Sequence, residues 1–336
     1  MRQEQPIQLP WEQAGWLEEA TAWIQAQLAA QGWQVISPVE LLHQRPWSTF
    51  AQVGTDKGLV YFKAPSPPFF EAPLTQFLAE KRPDCTVPVL AIDRDRGWVL
   101  TPDAGMTVRS ADPTATQVEH WLKLLPSYAE FQMQMAESVP QLLAMGMPDR
   151  RLAQLPGLYD ELMVAHENLR VGLEPGLTAE EYERLLALRP RLVLWCEQLA
   201  SYGLPETLTH EELHDANVLV QGDRYIYTDW SDSCVGHPFF TLLVTIRAAA
   251  HRLKLEEDGP EMKRLRDAYL EPWTTYASRE PLLEAFRLAY KLGMLNRALS
   301  WHHGTGSLAM KHKEPYADYV PGWLQDFLHE EAPLYD

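Results

Sequence analysis

The chain changes character once, after Asp103-Ala104-Gly105, and that change limits what it can fold into. Before it, short β-like runs alternate with turn material. After it, from about residue 114 to 200, Leu, Ala, Glu and Gln dominate and β-branched runs are few, which reads as helices broken at Pro140, Pro148 and Pro156. The first part opens with a helical run in which Trp16, Leu17, Ala20, Trp23, Ile24 and Leu28 recur at helical spacing and Gly32 ends the pattern. Strand-like runs follow at Val39 to His43, Thr49 to Gly54 and Gly58 to Lys63, with a turn at Thr55-Asp56-Lys57-Gly58. A helix is predicted over Glu71 to Glu80, then strands at Val87 to Ile92 and Trp98 to Thr101. Two further short strands are predicted at Asn217 to Val220 and Tyr225 to Thr228, and helices from Phe240 onward. The order implies a small α/β lobe over residues 1–103, carrying an N-terminal helix and a mostly antiparallel sheet. A larger, mainly helical lobe over 104–336 follows, with a hinge near residue 102. Clefts between such lobes commonly bind ligands.

Length and composition agree with this. The 336 residues are 46% hydrophobic and 22% charged, enough to bury a core and too well mixed for disorder. No run of 18 apolar residues occurs, so no membrane span is expected. The first residues, MRQEQPIQLPWEQ, lack an apolar signal core, and Cys85, Cys196 and Cys234 are few and far apart; both features suit a cytoplasmic protein. The formal net charge of -17 argues against a nucleic-acid partner, which needs a basic surface. It fits a cationic or neutral small substrate, or simply solubility. There is no internal repeat. Oligomeric state cannot be read from the sequence.

The most informative stretch is Thr209-His210-Glu211-Glu212-Leu213-His214-Asp215-Ala216-Asn217-Val218-Leu219-Val220, followed by Ile226-Tyr227-Thr228-Asp229-Trp230. Two readings compete. His210-Glu211-Glu212-Leu213-His214 matches the zinc pattern H-E-x-x-H, which on a helix puts both imidazoles on one face with Glu211 as general base. That reading lacks a third ligand: Asn217 and Val220 stand where the extended form has Gly and His, and no glutamate occurs between Glu212 and Glu256. The other reading is a phosphotransferase catalytic loop. Protein kinases use H-R-D-L-x-x-x-N and then a metal-binding Asp, and His210, Glu212, Leu213, Asn217 and Asp229 stand at those spacings. A carboxylate takes the acceptor proton, while an Asn and an Asp hold magnesium on the ATP phosphates. Six acidic residues (Glu211, Glu212, Asp215, Asp223, Asp229, Asp232) crowd 211–232 against the lone base Arg224, an arrangement that calls for solvation or cations.

The segment resembles the aminoglycoside phosphotransferase family, whose motif runs H-G-D-L-H-x-x-N, then D-W, then G-x-P. Here the positions are His210 to Asn217, Asp229-Trp230 and Gly236-His237-Pro238. Leu143 to Leu155, with Pro148-Asp149-Arg150-Arg151-Leu152, also resembles bacterial members. The resemblance implies a two-lobed protein-kinase-like α+β fold with a small antiparallel-sheet N-lobe and a larger helical C-lobe. It implies a phosphotransferase that uses ATP and Mg2+ on a hydroxyl of a small polar acceptor. It further implies Glu212 as the base, Asn217 and Asp229 as metal ligands, Lys63 as the phosphate contact and Glu71 as its helix partner. Ser48, in a Gln44-to-Thr49 loop without kinase glycines, would touch phosphate; Leu100 to Asp103 would lie beside adenine, and His210 would be structural. His302 and His303 read as a surface or half-buried pair, and Trp273, Tyr276 and Trp301 as core. Three departures stand out: Glu212 for the usual Asp, Glu211 for Gly, and Thr241 where Asp is common. The longer Glu212 moves its carboxylate by roughly 1 to 1.5 Å. Nucleotide and metal binding are therefore expected more firmly than turnover, and a nucleotide-binding protein without transfer activity is the alternative.

Overall fold

The stripe of Trp16, Ala20, Ile24 and Leu28 becomes the buried face of helix α1 (Trp16–Ala30). The computed structural model describes residues 8–111, 117–306 and 308–329. Gly32 ends α1 because it sits at φ +70°, a left-handed position that costs glycine little. Its N–H then reaches the carbonyl of Ala29, and the Trp33 N–H reaches that of Leu28, satisfying the last turn.

The described residues form two compact units. The first takes the residues up to Thr107, the segment Val218–Ser231, and residues 308–313; the second takes Val108–Asn217, Asp232–Gly306 and the residues from Glu314. This partition departs from a single cut at residue 103, because 104–107 and the hairpin of 218–231 pair with each other.

In the first unit, strands β1 (Glu40–Gln44), β2 (Ser48–Thr55), β3 (Gly58–Pro65), β4 (Ala91–Asp93) and β5 (Trp98–Pro102) form one antiparallel sheet in the order β1-β2-β3-β5-β4. One face carries Ala51, Val53, Val60, Phe62, Ala64, Trp98 and Leu100 and packs on the α1 stripe. The rings of Phe62 and Trp98 meet edge-on with centroids 5.4 Å apart. The pleat turns the alternate residues Phe50, Tyr61 and Lys63 to the other face. Helix α2 (Glu71–Lys81) follows β3. The strand expected from Val87 shortens to β4, since Pro88 has no N–H to give a ladder. Strand β6 (Met106–Thr107) pairs with β7 (Val218–Gln221), which pairs with β8 (Arg224–Tyr227). Gly105, at φ +115°, lets this pairing close: a Cβ there would lie 2.9 Å from the carbonyl oxygen of Val220.

In the second unit, Pro140 and Pro156 lie in first turns of helices, where a missing N–H costs nothing. Pro148 precedes a two-residue strand, Asp149–Arg150. Helices α3 (Gln117–Met135), α4 (Leu155–Met163) and α5 (Ala179–Ser201) are followed by α6 (Thr241–Leu253), α7 (Pro260–Leu270), α8 (Arg279–Gly306) and α9 (Tyr319–His329). α3 packs on α7, and α8 on α9. Cys234–Gly236 runs parallel to Asp149–Arg150 and antiparallel to Thr207–Thr209, a small sheet that fixes where the next residue, His210, emerges. Trp273 is buried, as expected of core; Tyr276 is 47% exposed and is not core. His302 is half-buried and His303 exposed. The start of the helical reading near residue 114 and the first seven residues of the signal reading lie outside the described residues. The three cysteines are free and buried, and burial pushes the thiols of Cys85 and Cys196 up to about 12. Among the described residues no helix is long and apolar enough to cross a membrane.

Phe62→Ala is expected to lower stability by about 3–5 kcal/mol, the usual loss for a large aromatic in a packed core. The change should appear as a midpoint shift in urea unfolding followed by tryptophan fluorescence. Leu59→Ala, one strand end away and 40% exposed, is the control and should cost under about 1 kcal/mol. Equal losses at the two positions would contradict the assigned core face.

Candidate functional site

Lys63 lies in β3 opposite Phe50 of β2, on the sheet face turned away from α1. Its ammonium donates to Glu71 Oε1 and to Asp229 Oδ1, each at 2.6 Å. Glu71 opens α2, where the helix dipole favours a carboxylate. Asp229 follows β8 and takes φ +61°, a left-handed backbone that is uncommon for a residue with a side chain. The Ser231 hydroxyl donates to the same Asp229 oxygen at 2.9 Å. Burial works against the charge on Lys63; the carboxylates of Asp229 and Glu71 overcome it and raise its pKa above the ordinary lysine value. The three groups sum to one negative charge, and Asp229 is the most accessible, with its side chain 47% exposed.

Around Lys63 the same face carries a row of rings. Phe50 stacks on Tyr61 at 5.4 Å and on His43 at 5.5 Å. Desolvation, then Arg45 and Lys63, lower the His43 pKa, keeping the ring neutral. The segment read as a phosphate-covering loop is a tight hairpin turn: Arg45 and Ser48 exchange backbone hydrogen bonds at 2.8 and 3.3 Å. Ser48 opens β2 two residues before Phe50, so the pleat aims it to the Lys63 face, but it is only 3% exposed.

The second set of residues lies on the loop 210–217 of the second unit. This loop is a series of turns, so the helical face that H-E-x-x-H requires does not form. His210 and His214 instead turn Nδ1 onto backbone N–H groups two residues ahead, those of Glu212 (3.2 Å) and Ala216 (3.3 Å). His210 is fully buried, in keeping with a structural role. Its N–H donates to the Tyr128 hydroxyl (3.0 Å), and its carbonyl accepts from the Thr241 hydroxyl (2.6 Å). Thr241 thus ties α6 to the loop, and Thr245, one turn on, does the same at the Leu213 carbonyl (2.8 Å). Asn217 donates its amide to the Glu212 carbonyl at 3.0 Å, which brings the expected metal ligand and the expected base together on one turn.

The two adjacent glutamates differ. Glu212 bonds the guanidinium of Arg297 through Oε1 and faces His214 Nε2 at 3.3 Å through Oε2. Burial alone would raise its pKa, but Arg297 and then His214 hold it below the usual carboxylate range. Glu211 is 1% exposed; Asn296 donates to its Oε2 at 2.5 Å and the Cys234 thiol lies 3.8 Å from its Oε1. Burial outweighs Arg297 and Arg150 there and pushes its pKa up to about 7. Asp215 is clasped by Arg109 (2.7 Å), with Arg252 at 3.5 Å. Arg297, Asn296, Arg109 and Arg252 escaped the sequence reading. Each is an ordinary helix residue, and nothing local marks a partner some 37 to 106 residues away.

Glu211 carries a consequence for stability. Its folded pKa of about 7 lies above the reference 4.5, so the folded chain binds more protons and loses stability as pH rises between those values. Glu211→Gln removes the titration and keeps an acceptor for Asn296. Melting of both forms should show the variant gaining on the wild type from pH 5 to pH 8 by up to roughly 3 kcal/mol, at about 1.4 kcal/mol per pKa unit. A gap independent of pH would show that Glu211 is ionised throughout.

Comparison with known proteins follows the same lines. The chain resembles a choline/ethanolamine kinase family protein from Mesorhizobium loti with a TM-score of 0.60 and 16% identity, over 95% of this chain and 96% of that one. It resembles a macrolide 2'-phosphotransferase from Brachybacterium faecium with a TM-score of 0.56 and 19% identity, over 92% and 98%. It also resembles an amicoumacin kinase in complex with AMP-PNP, Ca2+ and Ami, with a TM-score of 0.59 and 12% identity, over 95% and 98%. These likenesses show the kinase-like α+β fold expected from the motif. No curated protein matches the sequence. The sequence itself matches the phosphotransferase enzyme family APH over residues 52–282, more than half of its length, and the chain belongs to that family.

Proposed function

We propose that the protein transfers the γ-phosphoryl group of ATP to a hydroxyl of a small polar molecule. The observation that carries this reading is the pairing of Lys63 with Glu71 and Asp229, which joins a strand, a helix start and a strained turn 166 residues away. A buried lysine is costly unless paired, and pairing with two acids leaves a site short of positive charge. That shortage suits a divalent cation and a polyphosphate arriving together. Each unit offers a hard oxygen donor of the kind Mg2+ prefers, Asp229 in the first and Asn217 in the second. Magnesium, when bound, would offset phosphate charge as it does in other phosphotransferases. Lys63 would then turn from Asp229 toward the α and β phosphates while Glu71 holds its ammonium. The aromatic row of His43, Phe50 and Tyr61 offers apolar surface on the same sheet face for the nucleotide.

Glu212 is the proposed base. Ionised at neutral pH, it would accept the acceptor's hydroxyl proton as that oxygen bonds to the γ-phosphorus and the bond to the ADP oxygen breaks. The amicoumacin kinase was solved with AMP-PNP and Ca2+, and other structural relatives are named for choline, ethanolamine and macrolides. Those names support a small acceptor, and the net charge of -17 favours a cationic or neutral one. A second reading rests on Glu212, both of whose oxygens are already engaged: nucleotide binding without transfer.

A screen of choline, ethanolamine, aminoglycosides, macrolides and simple sugars for ATP consumption separates the two. Acceptor-dependent ADP release supports transfer; Mg·ATP binding with no release across the panel supports the second reading. Given an acceptor, Lys63→Met is expected to cut kcat/KM by about 10²-fold or more, as loss of a charged phosphate contact does. Glu212→Gln should cut kcat by about 10²- to 10⁴-fold and leave Mg·ATP affinity in calorimetry unchanged within about threefold. Full activity in Glu212→Gln would remove it as the base.

A further inference from the structure

Two neighbours on the loop dock on two neighbours of one helix. Glu211 meets Asn296 and Glu212 meets Arg297, both from the middle of α8. From this geometry we infer that Arg297 is a positioning residue that fixes the carboxylate of Glu212 for proton transfer, an inference that rests on the reading of Glu212 as base.

The environment of Arg297 favours this over an ordinary structural ion pair. The residue is 3% exposed, and its Nε and Nη1 are buried without a hydrogen-bond partner. Leaving such donors unmet is expensive, and structural arginines commonly spread their five N–H groups over several acceptors. Here Nη2 is committed to Glu212 Oε1, while the opposite oxygen faces His214. The carboxylate is therefore held from both sides, by His214 of its own loop and by Arg297 from a helix outside that loop. A glutamate has one more rotatable bond than an aspartate, and an uncertainty of about 1 Å at the reacting group can cost on the order of a hundredfold in rate. A guanidinium anchored on a long helix removes that freedom.

The length of Glu212 and the presence of Arg297 belong together on this account. Asn296 reinforces the register: bonded to Glu211, it stops the loop from sliding along α8 by one residue. An aspartate at 212 would fall short of the guanidinium. Glu212→Asp alone should then lose activity, although aspartate is the residue usual at this position of the motif.

The test uses the full-length protein with Mg·ATP and an acceptor from the screen. Arg297→Ala should lower kcat by about 10²-fold with KM for ATP within about twofold, and millimolar guanidinium should restore at least tenfold of the loss. Guanidinium rescue is a response that a merely structural arginine would not give. Should the alanine variant fail to fold, Arg297→Lys keeps the charge but not the fork, and the same kcat loss at unchanged KM is expected. A crystal structure of the folded variant should show Glu212 Oε1 displaced by more than about 1 Å, the misplacement that matters for rate. Glu212 found in its original place, or kcat within threefold of wild type while Glu212→Gln is inactive, overturns the positioning role. Glu212→Gln with full activity instead overturns the base assignment itself, so the two failures are told apart.

Discussion

A buried ammonium cannot stand alone, and much of the first unit is arranged around that constraint. Lys63 sits at the sheet face opposite the core, 12% exposed at the side chain, with one carboxylate brought by α2 and another by the turn after β8. Removing a partner would leave a charge in a poor solvent, whose cost exceeds that of most single contacts. The pairing is therefore a structural tie between β3, α2 and the turn after β8. It fixes where α2 begins, and it gives the hairpin of β7 and β8 a reason to belong with residues more than a hundred positions earlier in the chain. The unusual backbone of Asp229 is tolerated because that pairing, with Ser231, over-determines its position.

The second unit solves a different problem. A loop carrying two adjacent glutamates must be held still without being folded into a helix. It is suspended from side chains on three helices: Tyr128 of α3, Thr241 and Thr245 of α6, and Asn296 with Arg297 of α8. Each attachment meets a backbone group or a carboxylate that would otherwise be buried without a partner. The environments drive the neighbouring acids apart, Glu211 toward the neutral form and Glu212 toward the ionised one.

What could be read from sequence follows from what is local. α1 and its glycine stop, β2, β3 and α2 were legible because periodicity and turn chemistry act over a few residues. The pairing of Lys63 with Glu71 was anticipated from the family resemblance, which expected a strand lysine with a helix partner. Strands of two or three residues, such as Asp149–Arg150 and Cys234–Gly236, are too short to show a period. The β4 boundary was missed because Pro88 overrode an apolar run. Arg297 and Asn296 were unreadable for a deeper reason. Their roles exist only once α8 lies against a loop 85 residues earlier, and no spacing within either segment encodes that. Thr241 is intermediate: its departure from the usual residue was visible, its hydrogen bond to the His210 carbonyl was not.

The way the chain is threaded has a practical side. It passes from one unit to the other after Thr107, after Asn217, after Ser231 and again near residues 306 and 313. No single cut frees either unit as one continuous piece. A truncated gene ending near residue 107 would encode the five-stranded sheet with Lys63 and Glu71 but omit the hairpin that supplies Asp229 and pairs with β6. Its lysine would lose one of two counter-charges, and β6 would be left with an open edge. Anyone wishing to study the first unit by itself would have to graft both Val218–Ser231 and residues 308–313 onto it through designed linkers.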